Sequence, residues 1–128
     1  MKQIKIKPRY SKKNGQMSID IDRNELPFEV KDKAVVYIPP KAVAGNHIHS
    51  RQEALVCLGE NVDFIWLDKA GKQRITKMHQ RGQQLIITIV PSGVPHAVRN
   101  NSTSQPAILI EYADEQITPA TQQPAKVI

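Results

Sequence analysis

Residues 43–59 read Val43-Ala44-Gly45-Asn46-His47-Ile48-His49-Ser50-Arg51-Gln52-Glu53-Ala54-Leu55-Val56-Cys57-Leu58-Gly59. Val43 to His49 has the character of a strand, and Ala54 to Leu58 reads as the strand that follows it. Residues two apart on a strand share a face, so His47 and His49 present their imidazoles side by side. A tight turn at Ser50-Arg51-Gln52 swings Glu53 back beside the pair. Gly59-Glu60-Asn61 then closes the second run as a turn.

The same rhythm continues outward from this hairpin. Upstream, Ala34 to Ile38 is a short β-branched run stopped by Pro39-Pro40. Before it, Met17, Ile19 and Ile21 alternate with Ser18, Asp20 and Asp22, and Ile4 and Ile6 alternate with Lys5 and Lys7, the period of half-buried strands. Downstream come Val62 to Leu67, a hairpin loop at Asp68 to Lys72, a returning Gln73 to Met78, then Leu85 to Val90, Ala97-Val98 and Ala107 to Tyr112. Many short strands at even spacing, broken by Gly, Pro and Asn-Gly turns, predict an all-β sandwich or barrel. No stretch carries the pattern of a long amphipathic helix.

The chain has 128 residues, which predicts one domain. At 40% hydrophobic and 23% charged residues, its composition is that of an ordinary globular protein rather than a disordered or fibrous one. No apolar run approaches the roughly 18 residues a membrane helix needs, and Met1 to Tyr10 lacks the apolar stretch of a signal peptide. With one cysteine, Cys57, neither a disulfide scaffold nor a cysteine-based zinc finger is possible. We expect a soluble, cytoplasmic protein.

Net charge is +6, and its distribution locates the excess. Lys2, Lys5, Lys7, Arg9, Lys12 and Lys13 lie in residues 1–13 with no acid among them, so the rest of the chain is neutral. Nucleic-acid-binding domains carry their basic patch on the fold, with aromatics interleaved, and aromatic residues here are only 5%. We expect no nucleic-acid partner and no membrane partner. The domain organisation we expect is a basic arm or edge strand over 1–13, a single barrel over 14–114, and a tail over 115–128 that is loose or lies along a neighbour.

The chemistry concentrates in two places. One is His47, His49 and Glu53. The other is Pro91-Ser92-Gly93-Val94-Pro95-His96-Ala97-Val98-Arg99-Asn100, which ends a strand and puts a third imidazole at His96. A lone strand histidine is usually a packed or solvated residue, but three imidazoles and a carboxylate suit a divalent transition metal: Fe, Mn, Ni or Zn. Such an ion acts as a Lewis acid or activates water or oxygen. His79 sits in a polar stretch and reads as surface. Arg51 and Arg99 also read as surface arginines. Cys57 shares the parity of Glu53 and Leu55, which points it inward as an inert thiol, and Trp66 reads as core or interface.

His47 to Glu53 followed by Gly59 resembles the first motif of the cupin superfamily, and Pro91 to Asn100 resembles the second. The resemblance implies a small antiparallel β-barrel of jelly-roll type, with His47, His49, Glu53 and His96 as metal ligands inside it. Lys41 stands where cupins usually place a glycine, six residues before the first histidine. A narrower likeness is to the cupins that isomerise keto-sugar nucleotides, the WxcM-like 3,4-ketoisomerases. It is carried by Leu26 to Lys31, Val35 to Pro40, Gly45 to His49 and Leu55 to Leu58. That likeness implies acid/base roles for His47 and His49 without a required metal, and places Tyr37 near the sugar. Ala44 stands where those enzymes usually carry an arginine, and they generally lack the second motif. The resemblance thus implies an enzyme moving a proton next to a carbonyl of a sugar or sugar nucleotide, a carbohydrate-like small-molecule partner, and a homodimer. The same ligand set also supports an Fe-dependent dioxygenase or a non-catalytic sugar-binding cupin.

Overall fold

The computed structural model describes residues 1–21 and 25–128. Among the described residues twelve strands form in chain order: β1 (Lys2–Ile6), β2 (Tyr10–Ser11), β3 (Met17–Ser18), β4 (Asp32–Ile38), β5 (Val43–His49), β6 (Glu53–Leu58), β7 (Val62–Leu67), β8 (Gln73–Lys77), β9 (Leu85–Val90), β10 (His96–Asn100), β11 (Ala107–Ala113) and β12 (Gln122–Pro124). One five-stranded sheet runs β1-β9-β6-β11-β4 and the other β12-β5-β10-β7-β8, with β2-β3 as a small separate ladder. Every named pairing is antiparallel. Two facing antiparallel sheets with crossovers between them make the jelly-roll barrel of a cupin. No helix among the described residues is long and apolar enough to cross a membrane.

The strand period explains which side chains meet. Leu55 and Cys57 of β6, Leu109 of β11 and Val90 of β9 point between the sheets. There they meet Phe64 of β7 and Val98 of β10. The alternate residues Ala54, Val56, Ile87 and Ile89 point outward and are covered by Leu26, Phe28, Ile19 and Ile21. The 17–22 segment therefore departs from its expected course. Only Met17–Ser18 pairs as strand, while Ile19 and Ile21 serve as a cover over the first sheet. Asp22 lies outside the described residues. Lys2–Ile6 forms an edge strand on β9.

The tail is not loose, and it lies along its own chain. Gln122–Pro124 pairs with β5 in the register Gln122↔His49 and Pro124↔His47. Val127 is buried against Ile65 and Ala97 on the outer face of the second sheet. Asn46 Oδ1 accepts hydrogen bonds from the backbone N–H of Val127 (3.1 Å) and Ile128 (3.0 Å). A three-residue Gln-Gln-Pro strand carries no hydrophobic alternation, which is why the periodicity passes over it.

Two backbone positions set the histidine strand. Pro39 to Ala42 is a turn closed by Ala42 N–H donating to Pro39 O at 3.1 Å, and Lys41 at its third position has φ 65°. That conformation favours glycine, so Lys41 fills a glycine position at a steric cost. Gly45 has φ 89°, and a Cβ there would stand 3.1 Å from both Ala97 Cα and His96 O. The pairing of β5 with β10 shifts register at this point, from His96↔His47 to Ala97↔Gly45, leaving Asn46 (φ 60°) as the extra residue of a bulge. The bulge keeps His47 and His49 on the inner face while β5 closes tightly on β10.

Candidate functional site

The turn after β5 returns the chain as β6, so His47, His49 and Glu53 come from one hairpin, and β10 brings His96 directly opposite His47. His47 Nε2 lies 3.0 Å from His96 Nε2. His49 Nε2 lies 2.7 Å from Glu53 Oε1, and His96 Nε2 lies 3.7 Å from the same oxygen. Ligand-capable atoms of His47, His49 and His96 all fall within 4.8 Å of one another. Phe64 stacks on the His96 ring at 5.2 Å between centroids.

Backbone carbonyls orient two of the imidazoles. His49 Nδ1 is 3.1 Å from Arg51 O, and His96 Nδ1 is 2.8 Å from Val94 O. A carbonyl only accepts, so each Nδ1 carries the proton and each Nε2 turns toward the centre. For neutral His96 the proton in the 3.0 Å contact therefore belongs to His47 Nε2. His49 Nε2, turned inward by the carbonyl of Arg51, faces Glu53 Oε1 at 2.7 Å. Carbonyl-fixed imidazoles aimed at one point are the arrangement a transition metal uses. The three histidines fit such an ion. Glu53 is shared, because its other oxygen is taken by Arg51.

Arg51 overturns the surface reading. It is 2% exposed, and it donates from Nη1 to Asp32 Oδ2 (2.7 Å) and Glu115 O (3.2 Å), and from Nη2 to Glu53 Oε2 (2.8 Å). Burial works against its charge, but Glu53, Asp32 and Glu111 outweigh burial and raise its pKa. Burial likewise works to raise the Glu53 pKa, yet His49, His96 and Arg51 hold it below the ordinary carboxylate value. Burial pushes His96 down to about 4. Burial and the neighbouring His49 lower His47.

A cavity of about 340 Å³ opens on this group. His47, His96, Arg51, Glu53 and Glu111 supply its polar wall, and Val36, Leu55, Val98 and Leu109 its apolar wall. Ile117 and Gln122 reach it from the tail. His49 is not among its lining residues. It faces a separate groove beside Ser50 and Thr121.

Of the expected site residues, the fold thus brings together His47, His49, Glu53 and His96. It does not bring Tyr37 to them. Tyr37 has the opposite parity to Val36 and Ile38 on β4, is 61% exposed, and lines no part of the cavity. Asn100 is a clamp, donating to Ile38 O, Pro39 O and Gln105 O. His79 is half-buried, with Nδ1 accepting from Val62 N–H at 3.2 Å. Arg99 is 3.9 Å from Asp63, outside the barrel. Trp66 packs on the core and donates to Thr76. Burial pushes the Cys57 thiol up to about 12, which makes it inert.

Glu111 went unnoticed in the sequence. Its signal is an acid at the inward parity of the apolar run Ala107-Ile108-Leu109-Ile110-Glu111. Burial and Glu53 push its carboxyl up to about 7.

A family model described as FdtA: WxcM-like, C-terminal matches residues 1–120. No curated protein matches in sequence. Among solved structures, a 3,4-ketoisomerase from Helicobacter canadensis superposes with TM-score 0.79 at 17% identity, covering 95% of this chain and 88% of that one. QdtA, a sugar 3,4-ketoisomerase from Thermoanaerobacterium thermosaccharolyticum in complex with TDP, gives 0.74 at 16% identity, covering 94% and 86%. NovW, a 4-keto-6-deoxy sugar epimerase from Streptomyces spheroides, gives 0.73 at 15%, covering 95% and 67%. At these identities the likeness is one of fold.

Proposed function

This chain belongs to the WxcM-like, C-terminal family, and from that premise we propose that it is an isomerase of keto-sugar nucleotides, moving a proton next to the sugar carbonyl. The observation that carries the reading is the His47–His96 pair, Nε2 to Nε2 at 3.0 Å, at the wall of a cavity of about 340 Å³. That volume lies within the range of small-molecule sites. The base is His47. With its Nε2–H given to His96, its Nδ1 is unprotonated, and a lowered pKa keeps it neutral near pH 7. His49 holds Glu53, and Glu53 with Arg51 fixes the polar floor. Tyr37 has no part in a site built from one chain.

A divalent transition ion is the second element of the proposal. In the ion-bound form His47, His49 and His96 would hold it, with Glu53 beside them; His47 would then be a ligand and not the base, and the ion would supply Lewis-acid polarisation of the carbonyl. We further propose a homodimer working in the cytoplasm. β4 is an edge strand, and Val35 (69%) and Tyr37 (61%) are exposed on it, the kind of edge a second copy covers. Light scattering at micromolar concentration checks this, and a monomer would refute it.

The test of the activity is incubation with TDP-4-keto-6-deoxyglucose, the sugar nucleotide bound in one of the ketoisomerase structures. Product is followed by proton NMR in D2O, with metal-stripped and Fe-, Mn-, Ni- or Zn-loaded protein. A 3-keto product carrying deuterium at the new carbon–hydrogen position is expected. Neither product nor deuterium exchange under any loading would refute the reading.

A further inference from the structure

Moving a carbonyl by one carbon requires proton transfers at two oxygens as well as at two carbons. One imidazole cannot sit at all four atoms. The cavity offers a second group on its other wall. His47 belongs to β5 of one sheet and Glu111 to β11 of the facing sheet, and both line the same cavity. A substrate in that cavity lies between them.

Glu111 is free to act. It makes no hydrogen bond to any described residue. The nearest cation is Arg51, with Nη2 3.7 Å from Glu111 Oε2, and that guanidinium is already engaged by Asp32, Glu53 and Glu115 O. The Glu111 side chain is 18% exposed, while that of Glu53 is 3% exposed and bound on both oxygens. Of the two carboxyls in the cavity wall, only Glu111 has its oxygens available to a ligand.

We propose that Glu111 is a second acid/base residue of the site and carries the proton between the two substrate oxygens. The assignment rests on the keto-sugar reading above. In the first half, His47 takes the hydrogen on the carbon beside the carbonyl. The freed electron pair forms the carbon–carbon double bond, and the carbonyl oxygen takes the Glu111 proton, giving an enediol. In the second half, the Glu111 carboxylate removes the proton of the neighbouring hydroxyl. A carbonyl forms there, and the former carbonyl carbon takes its proton back from His47. Both residues end as they began, and nothing else is consumed. A carboxyl bridges two vicinal oxygens with its own two oxygens, which an imidazole does not.

The surroundings agree with this role. Burial and the Glu53 carboxylate favour the protonated form, Arg51 and His49 oppose it, and Asp32 adds to it, leaving the group near the working pH. The other titratable groups that face the cavity are His47 and His96.

The experiment compares wild type, Glu111→Gln and Glu111→Asp on TDP-4-keto-6-deoxyglucose in D2O, reading product formation and carbon-bound deuterium separately. We expect Glu111→Gln to lose about 10²–10⁴-fold in kcat, with KM changed less than about threefold. Deuterium exchange should fall much less than turnover, because His47 still exchanges the carbon proton. Glu111→Asp should recover part of the lost kcat. A Glu111→Gln enzyme within about threefold of wild-type kcat would overturn the assignment and leave the keto-sugar reading standing. Equal loss of exchange and turnover in both variants, with a lowered melting temperature, would also overturn it and make Glu111 structural. Wild type that neither turns over nor exchanges would overturn the keto-sugar reading itself.

Discussion

Arg51 Nη2 lies 2.8 Å from Glu53 Oε2, two residues along the chain, and the arginine making that contact is 2% exposed. The pair forms the floor of the cavity. One guanidinium offsets Glu53 and Asp32 and stands near Glu111, so removing it leaves buried carboxylates without a counter-charge. Arg51→Met should destabilise by about 3–5 kcal/mol in urea denaturation. The double variant Arg51→Met/Glu53→Gln should recover a measurable part of that loss. Equal destabilisation in both would mean that the packing of the arginine, and not its charge, matters.

His96 and Glu111 pull the pH dependence of stability in opposite directions. His96 has a folded pKa of about 4 against 6.5, so its contribution is present above pH 6.5 and is lost as pH falls toward 4. Glu111 has a folded pKa of about 7 against 4.5, so its contribution is present below pH 4.5 and is lost as pH rises toward 7. In metal-stripped wild type the two offset each other between roughly pH 4.5 and 6.5. Glu111→Gln should then become more stable with rising pH, and His96→Asn less stable, each by up to about 1.4 kcal/mol per pH unit. Thermal or urea melts at half-unit steps check the signs.

Lys41 and Gly45 should respond oppositely to exchange of a Cβ. Lys41→Gly relieves a left-handed residue and should stabilise by about 1 kcal/mol. Gly45→Ala places a methyl 3.1 Å from Ala97 Cα and His96 O, in a conformation that disfavours it. It should destabilise by about 2 kcal/mol or more, and it should broaden the His96 ring signals in NMR.

Asn46 ties the tail to the histidine strand. Asn46→Gly keeps the positive φ but removes the acceptor for two backbone N–H groups, and should cost about 1–2 kcal/mol. Hydrogen exchange should speed up at Val127 and Ile128, and at Ser50, whose N–H donates to Thr121 O. Unchanged exchange at Ser50 would show that the tail holds to β5 without this anchor.

Much of the fold was legible because the barrel strands obey one rule, alternation between turns. His47, His49, Glu53 and His96 were legible because their spacing survives in the chain as motifs. Arg51 was not, since nothing in its neighbourhood shows that Asp32, Glu53 and Glu111 converge on it from β4, β6 and β11. Glu111 left only a faint mark, an acid at an inward parity. Tyr37 came from resemblance, which carries a residue type without its parity on β4, and within one chain that parity turns it away from the cavity. The tail was missed because its attachment is a backbone ladder of polar Gln-Gln-Pro, a side-chain amide on Asn46 and the terminal Val127-Ile128 pair, not a period.

The contact from Ile128 N to Asn46 Oδ1 spans 82 positions in sequence. Contacts that distant carry a loop-closure cost that must be met before they stabilise anything, and topologies rich in them fold over milliseconds to seconds. The histidine strand takes one partner from β10 and the other from β12, both far along the chain. Its imidazoles therefore reach their places only when both of those long-range pairings have closed. A refolding experiment should see Trp66 bury together with the placement of His96, its register partner across β7 and β10.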